Sequence, residues 1–187
     1  MRELSLHILD ALENALEAGA TCVDLTVEED LTTDRLTITV QDDGRGMDEE
    51  QLKRIYDPFF TTRTARHVGL GVPLFKAAAE RCNGELTVTS QPGKGTTLRA
   101  VFQHSHIDRA PLGDVEGTLL AFILSGVCDL CYVHRVDVHQ VGKETFEFHT
   151  ADIRAELGDI PLTHSAVRNW LQEFIAEGET QLRRESL

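Results

Sequence analysis

Between Glu3 and Ala18 the apolar residues return every three or four positions. Leu4, Ile8, Ala11, Leu12, Ala15 and Leu16 form one stripe, and Glu3, His7, Asp10, Asn14 and Glu17 form a second, polar one. That period predicts an amphipathic helix over 3–18, with Gly19 as its C-terminal stop. Strict alternation then takes over in Val23, Leu25, Val27 and again in Leu36, Ile38, Val40, which predicts two strands joined through 30–34. A loop over 42–47 follows. Asp48 and Gln51 are spaced as a capping box that opens a short helix to Ile55, and 57–69 has no clear period and reads as loop. A further helix is expected over 70–82, with Leu74, Phe75, Ala78, Ala79 and Cys82 inward and Asn83-Gly84 ending it. Alternating segments at 86–88 and 98–102 flank the turn at 91–95. The order helix, hairpin, short helix, loop, helix, hairpin predicts an α+β fold. It is a two-layer sandwich, with a mixed, mostly antiparallel sheet covered by helices on one face.

The texture changes after Phe102. His104-Ser105-His106 and Pro111-Leu112-Gly113 read as a connector. An apolar helix is expected around 119–124, strands at 130–138 and 145–148, and a helix capped by Thr163. That last helix would bury Val167, Trp170, Leu171, Phe174 and Ile175, stop at Gly178, and leave a frayed polar tail over 179–187. Two parts are therefore expected. Residues 1–104 form the main unit; 105–187 form a small C-terminal α/β domain, or an appendage packed on the first, that binds a partner.

Charge narrows the function classes. A net charge of −13 over 187 residues disfavours nonspecific binding to nucleic acid or to an anionic membrane. No apolar run approaches bilayer length, and the amphipathic, acidic start suits neither a secretion signal nor a basic transit peptide, so a cytoplasmic location is expected. Cys22, Cys82, Cys128 and Cys131 are not spaced as a disulfide framework. Cys128 and Cys131 make a lone CxxC, with His134 and His139 nearby but no second ligand pair evident. Metal ligation and redox exchange are weighed against two small apolar residues at a helix-to-strand transition, and the packing role is preferred.

Against the acidic background, residues 53–76 hold five cations (Lys53, Arg54, Arg63, Arg66, Lys76) and one carboxylate, Asp57. This cationic island adjoins Gly69-Leu70-Gly71, which opens a helix whose first N–H groups can bind an anion, so a polyphosphate ligand fits. Phe59-Phe60 in the same polar loop reads as a lid anchor, followed by Thr61 and Thr62. Asn14 offers a carboxamide oxygen of the kind Mg²⁺ prefers, and Asp10, one turn away, can orient or deprotonate a water. Asp42 sits at a strand end before Gly44 and Gly46. Its carboxylate can accept the exocyclic amine of adenine, which guanine lacks at that place. Neither a dinucleotide fingerprint nor a P-loop is present: Leu74 stands where the first needs its third glycine, and Val88 where the second needs its first.

In this order the four motifs resemble those of the Bergerat-fold ATPases, the superfamily of gyrase, Hsp90, histidine kinases and mismatch-repair ATPases. The likeness covers about 3–103. The stretch Asp10 to Thr21 looks most like the mismatch-repair branch, where a Glu in the place of Asp10 is the general base. Asp57-Pro58-Phe59-Phe60-Thr61-Thr62, Val68-Gly69-Leu70-Gly71 and Gly93-Lys94-Gly95-Thr96-Thr97 look like histidine kinases. The resemblance implies Mg²⁺ on Asn14, adenine on Asp42, a pocket wall of Gly44, Gly46 and Met47 supported by Thr96, and a phosphate cover of Gly69, Leu70 and Gly71, with Phe60, Thr61 and Thr62 in the lid. It also implies a cofactor, Mg-ATP, and a regulatory protein acting on a partner protein by phosphotransfer or nucleotide-driven conformational change. The alternatives are an ATP-gated interaction module with little turnover and a slow ATPase with Asp10 as base. Because the first motif begins at residue 3, no phosphoacceptor segment is expected upstream, and self-phosphorylation in the usual arrangement is not expected. The stretch 104–113 is similar to one in small ATP-binding proteins associated with hydrogenase and redox systems. It points to such a partner, and a second copy of the chain is a further candidate partner.

Overall fold

The computed structural model describes residues 3–57, 70–138 and 142–185. Helix α1 (Ser5–Glu17) buries Ile8, Ala11, Leu12 and Ala15, the stripe its sequence predicts. A left-handed Gly19 (φ 75°) turns the chain into β1 (Cys22–Asp30), which pairs antiparallel with β2 (Arg35–Asp42). Helix α2 (Glu49–Arg54) opens on the expected capping box. The Asp48 side chain accepts from the Gln51 N–H, and the Gln51 side chain accepts from the Asp48 N–H. Next come α3 (Gly71–Arg81), β3 (Glu85–Gln91) and β4 (Gly95–Gln103).

Residues after 104 form α4 (Val115–Ser125), β5 (Asp129–Val138), β6 (Gly142–His149), α5 (Thr150–Leu157) and α6 (Ser165–Glu185). Their strands continue the first sheet. Strand order is β3-β4-β2-β1-β5-β6, and β5 runs parallel to β1 from Cys22↔Asp129 to Asp30↔Asp137. Every other strand pair is antiparallel. Inward residues of all these strands meet α1, α3, α4 and α6 in one core that includes Leu12, Leu25, Ile38, Phe75, Leu119, Leu130, Tyr132 and Leu171. This is the expected α+β sandwich.

The connector is bolted down. Leu4 and Ser5 donate their N–H groups to the carbonyls of Pro111 and Leu112, and Arg109 holds the His104 carbonyl. Helix α5 is an element that the sequence reading passed over. Three expectations need correction. Leu74 is 42% exposed, because Phe75 stacks on His7 and packs against Phe102, which fixes the rotation of α3 and carries its neighbour off the core. Trp170 is 46% exposed for a related reason: Leu171 takes the core position, and the indole stacks on Phe174 at the rim. The last helix does not stop at Gly178. It continues to Glu185, and Gly178 lies where any Cβ would collide with the Phe146 ring. A glycine in mid-helix costs about 1 kcal/mol, and here it admits an aromatic side chain. The expected frayed tail instead buries Glu179 and Leu182. Among the described residues no helix is long and apolar enough to cross a membrane.

Candidate nucleotide site

The polar stripe of α1 faces the start of α3. Asn14 donates its side-chain N–H to Asp10 Oδ2 at 3.3 Å, and a Cβ on Gly71 would collide with that same Asp10 carboxylate. Glycine at the first residue of α3 is therefore what lets an acid on one helix touch the N-terminus of the next. Leu70 is the N-cap residue and is 46% exposed. His7, one turn before Asp10, stacks on Phe75 with ring centroids 4.7 Å apart. Burial lowers the His7 imidazole to about 4, so it is neutral, and its Nδ1 has no hydrogen-bond partner among the described residues.

The second group of candidate residues lies on and around the loop after β2. Asp42 is paired in register with Thr96 of β4, and both lie on the helix-covered face, in step with Val40 and Leu98. Burial pushes the Asp42 carboxyl above its ordinary range, against the pull of the Gly44 and Thr96 backbone N–H groups. The Gly44 N–H donates to Asp42 Oδ1 at 2.8 Å. Gly46 is left-handed (φ 64°), and a Cβ there would strike the Gln91 carbonyl; Gly95 (φ 85°) abuts the Asp42 carbonyl in the same way. Both glycines are thus needed twice, for backbone conformation and for close approach. The Met47 N–H donates to Ser90 Oγ at 2.8 Å, and Ser90 Oγ lies 3.0 Å from Thr96 Oγ1. The Met47 side chain packs against the core.

Asp43 points elsewhere. It accepts from the Thr21 and Cys22 N–H groups at 2.7 and 3.0 Å, and from the Thr21 hydroxyl. The Arg45 N–H and guanidinium hold the Ala18 and Glu17 carbonyls at the end of α1. This pins the 42–47 loop to the turn between α1 and β1.

Asp10, Asn14, Leu70 and Gly71 thus gather where α1 meets the start of α3, and Asp42, Gly44, Gly46, Met47 and Thr96 gather around the loop after β2, which is pinned to the end of α1. Phe60, Thr61, Thr62 and Gly69 lie outside the described residues, as do Arg63, Arg66 and His67. Ser90 was not foreseen from the sequence, because a serine at a strand end carries no signal. A groove of about 420 Å³ at the opposite ends of the strands, lined by Asp34, Arg35, Asn83 and Gln103, shares no residue with this site.

Residues 2–106 match the family model described as histidine kinase-, DNA gyrase B-, and HSP90-like ATPase. The chain belongs to this family. It carries a histidine-kinase-type ATP-binding domain of the superfamily, and ATP is its expected ligand class. Sporulation kinase C of Bacillus subtilis is 31% identical over 99 residues, which are 53% of this chain and 23% of that protein. Sensor histidine kinase ZraS of Salmonella typhi is 38% identical over 96 residues, 51% of this chain and 20% of that one. The chain thus spans about a quarter or less of these relatives' length. Among solved structures, the N-terminal domain of a DNA repair protein superposes with a TM-score of 0.52 at 13% identity, over 78% of this chain and 52% of that one. That likeness shows the fold, and it reaches past the residues matched by the family model.

Proposed function

We propose that this is a Mg-ATP-binding regulatory protein that acts on a partner protein, by phosphotransfer or by nucleotide-driven conformational change. The observation that carries this reading is the approach of Asp10, itself bonded to Asn14, to the glycine that opens α3, together with a half-buried Asp42 beside glycines. The donor set suits the ligand. Helix-start N–H groups bear a partial positive charge for phosphate, a carboxamide oxygen is a hard ligand for Mg²⁺, and Asp42 offers an acceptor at a glycine-cleared surface. Asn14 would hold the metal through its oxygen, since its amide nitrogen is engaged by Asp10. When bound, the metal would offset phosphate charge. Asp42 would take the adenine amine, with Gly44, Gly46 and Met47 as the wall and Thr96 bracing the acid through its backbone N–H. Leu70 and Gly71, with Gly69, would present backbone donors to the phosphates. Phe60, Thr61 and Thr62 are assigned to the lid on the resemblance alone.

Asp10 supports a second reading, slow ATP hydrolysis, because its carboxylate stands against the α3 start where it could take a proton from water. The discriminating experiment is equilibrium binding of ATP and GTP with and without Mg²⁺, followed by phosphate release. Binding of ATP over GTP that needs Mg²⁺ supports the pocket. Phosphate release abolished by Asp10→Asn, with ATP affinity retained, supports hydrolysis. Absence of ATP binding by the folded protein overturns both readings. The partner, a cytoplasmic location and self-association belong to the same proposal, and label transfer from ATP to an added protein would distinguish phosphotransfer from gating.

A further inference from the structure

The CxxC pair is split by the fold. Cys128 is buried, and its thiol points at the Asp129 carbonyl. Cys131 projects from β5 on the opposite face of the sheet from the helices, where it meets a residue 109 positions away. Its Sγ lies 4.0 Å from Cys22 Sγ. The parallel register is responsible: Asp24 of β1 is the direct neighbour of Cys131, and Cys22, two residues earlier, shares its face. On the other side the antiparallel partner of Cys131 is His149 of β6, with Nδ1 3.7 Å from the thiol. One ligand atom from each of Cys22, Asp24 and Cys131 lies within 4.8 Å of the other two.

We infer that Cys22, Cys131, Asp24 and His149 form a binding site for a single thiophilic divalent cation, of which Zn²⁺ is the type, on the open face of the sheet. Two sulfurs, an imidazole and a carboxylate are the donors such an ion takes in four-coordinate sites. The spacing also fits. Tetrahedral coordination with a metal–sulfur length of about 2.3 Å separates two sulfurs by about 3.8 Å, and a sulfur from an imidazole nitrogen by about 3.5 Å. The separations here are 4.0 and 3.7 Å, close to these values, and Asp24 completes a compact trio with the two thiols; His149 adjoins Cys131 and must swing toward the other two to serve as the fourth donor. A Cys22–Cys131 disulfide explains less. It requires the sulfurs to close to about 2.05 Å and gives Asp24 and His149 no part. Asp129, beside Cys22 in the register, is not a ligand, because its Oδ1 accepts from Thr150 and Arg154. The site faces away from the helix-covered nucleotide site and does not rest on it.

The test uses the whole protein, reduced, stripped with chelator and titrated with Co²⁺ without nucleotide. One equivalent should produce thiolate-to-metal charge transfer in the near ultraviolet and the strong visible bands of a tetrahedral ion, and Zn²⁺ should bleach both. Cys22→Ser and Cys131→Ser should each abolish the tetrahedral spectrum while far-ultraviolet circular dichroism is unchanged. Asp24→Asn and His149→Ala should weaken affinity at least as much as loss of an outer-shell partner does, roughly ten- to hundredfold. Cys128→Ala should bind like the parent. The site is refuted if the parent shows no charge-transfer band, if the band survives the Cys22→Ser/Cys131→Ser double variant, or if the reduced protein takes up no metal and oxidises instead to a Cys22–Cys131 disulfide.

Discussion

Two groups of polar residues lie on the helix-covered face of the sheet, one around Asp42 at the end of β2 and one between β5 and α6. At the first, Asp42 is half-buried, its neighbours are glycines, and its contacts are backbone N–H groups. At the second, His134 is 0% and Glu179 1% exposed, and every partner is a side chain. His134 Nδ1 lies 3.1 and 3.0 Å from the two Glu179 oxygens, and its Nε2 3.1 Å from Glu29, which also meets His104 at 2.7 Å. The Tyr132 hydroxyl donates to Glu179 at 2.8 Å, and Arg183 stands 3.9 Å away. A sealed charge must be paired inside the protein because nothing else can reach it. Asp42, half-buried and held by backbone N–H groups, has no charged partner of that kind among the described residues. The second cluster fastens β1, β5 and α6 together; the first is the one proposed to meet a ligand.

This contrast predicts opposite responses. The largest is at Glu179. Glu179→Ala leaves His134 Nδ1 and the Tyr132 hydroxyl without a partner in the core, with Glu29 alone left to face the imidazole, and should cost about 3–5 kcal/mol in urea denaturation; a loss under about 1 kcal/mol would show that water enters this cluster. Next is the pH dependence. Burial pulls His134 down, but the hydrogen bonds and charges of Glu179 and Glu29 outweigh it and hold the imidazole at about 9. An unfolded histidine titrates near 6.5, so this pairing stabilises fully below 6.5 and is lost as pH rises through 9. Stability should fall on the order of 3 kcal/mol over that window, and His134→Gln should flatten the limb. On the acid side, burial favours the neutral form of Glu29, yet His134 and His104 hold it at about 2, so its contribution fades as pH falls from 4.5 through 2. His7, lowered to about 4 by burial, adds a loss below 6.5, because the unfolded chain takes up that proton first.

Asp42→Asn should behave differently from Glu179→Ala. Stability should stay nearly unchanged, while ATP affinity falls roughly 10- to 100-fold, the worth of a hydrogen bond to a charged group. Equal losses of folding and binding would erase the distinction between the two clusters. The smallest effect belongs to Gly178→Ala. Overpacking against Phe146 costs about 1–3 kcal/mol and the gain in helix propensity returns about 1, so thermal melting should show a net loss of at most about 2 kcal/mol.

The regular elements before residue 104 were legible because their signals are local. A stripe at helical spacing, a capping box and alternating strands need no knowledge of the rest of the chain. The backbone demands at Gly44, Gly46 and Gly71 were legible for the same reason, since a glycine within a few positions of an acid or a helix start declares a close approach. What failed was non-local. Gly178 reads as a stop, since glycine favours helix ends, until Phe146 of another strand is seen to fill its place. The match of Cys22 with Cys131 depends on a parallel register between strands more than a hundred residues apart, which no spacing within either segment encodes. Helix α5 is short, and of its residues only Thr150 is fully buried, so its period is faint.

The lateral bond between β1 and β5 also bears on how the chain can be divided. The family-matched stretch ends near residue 106, and a cut there is the obvious way to isolate an ATP-binding fragment. Such a fragment would strip β1 of its partner along its full length and leave a long row of N–H and C=O groups facing water beside the apolar Val23, Leu25 and Val27. Bare margins of that kind recruit strands from other molecules. The shortened polypeptide should therefore clump, and the segment after 104 serves the rest as a guard rail against aggregation.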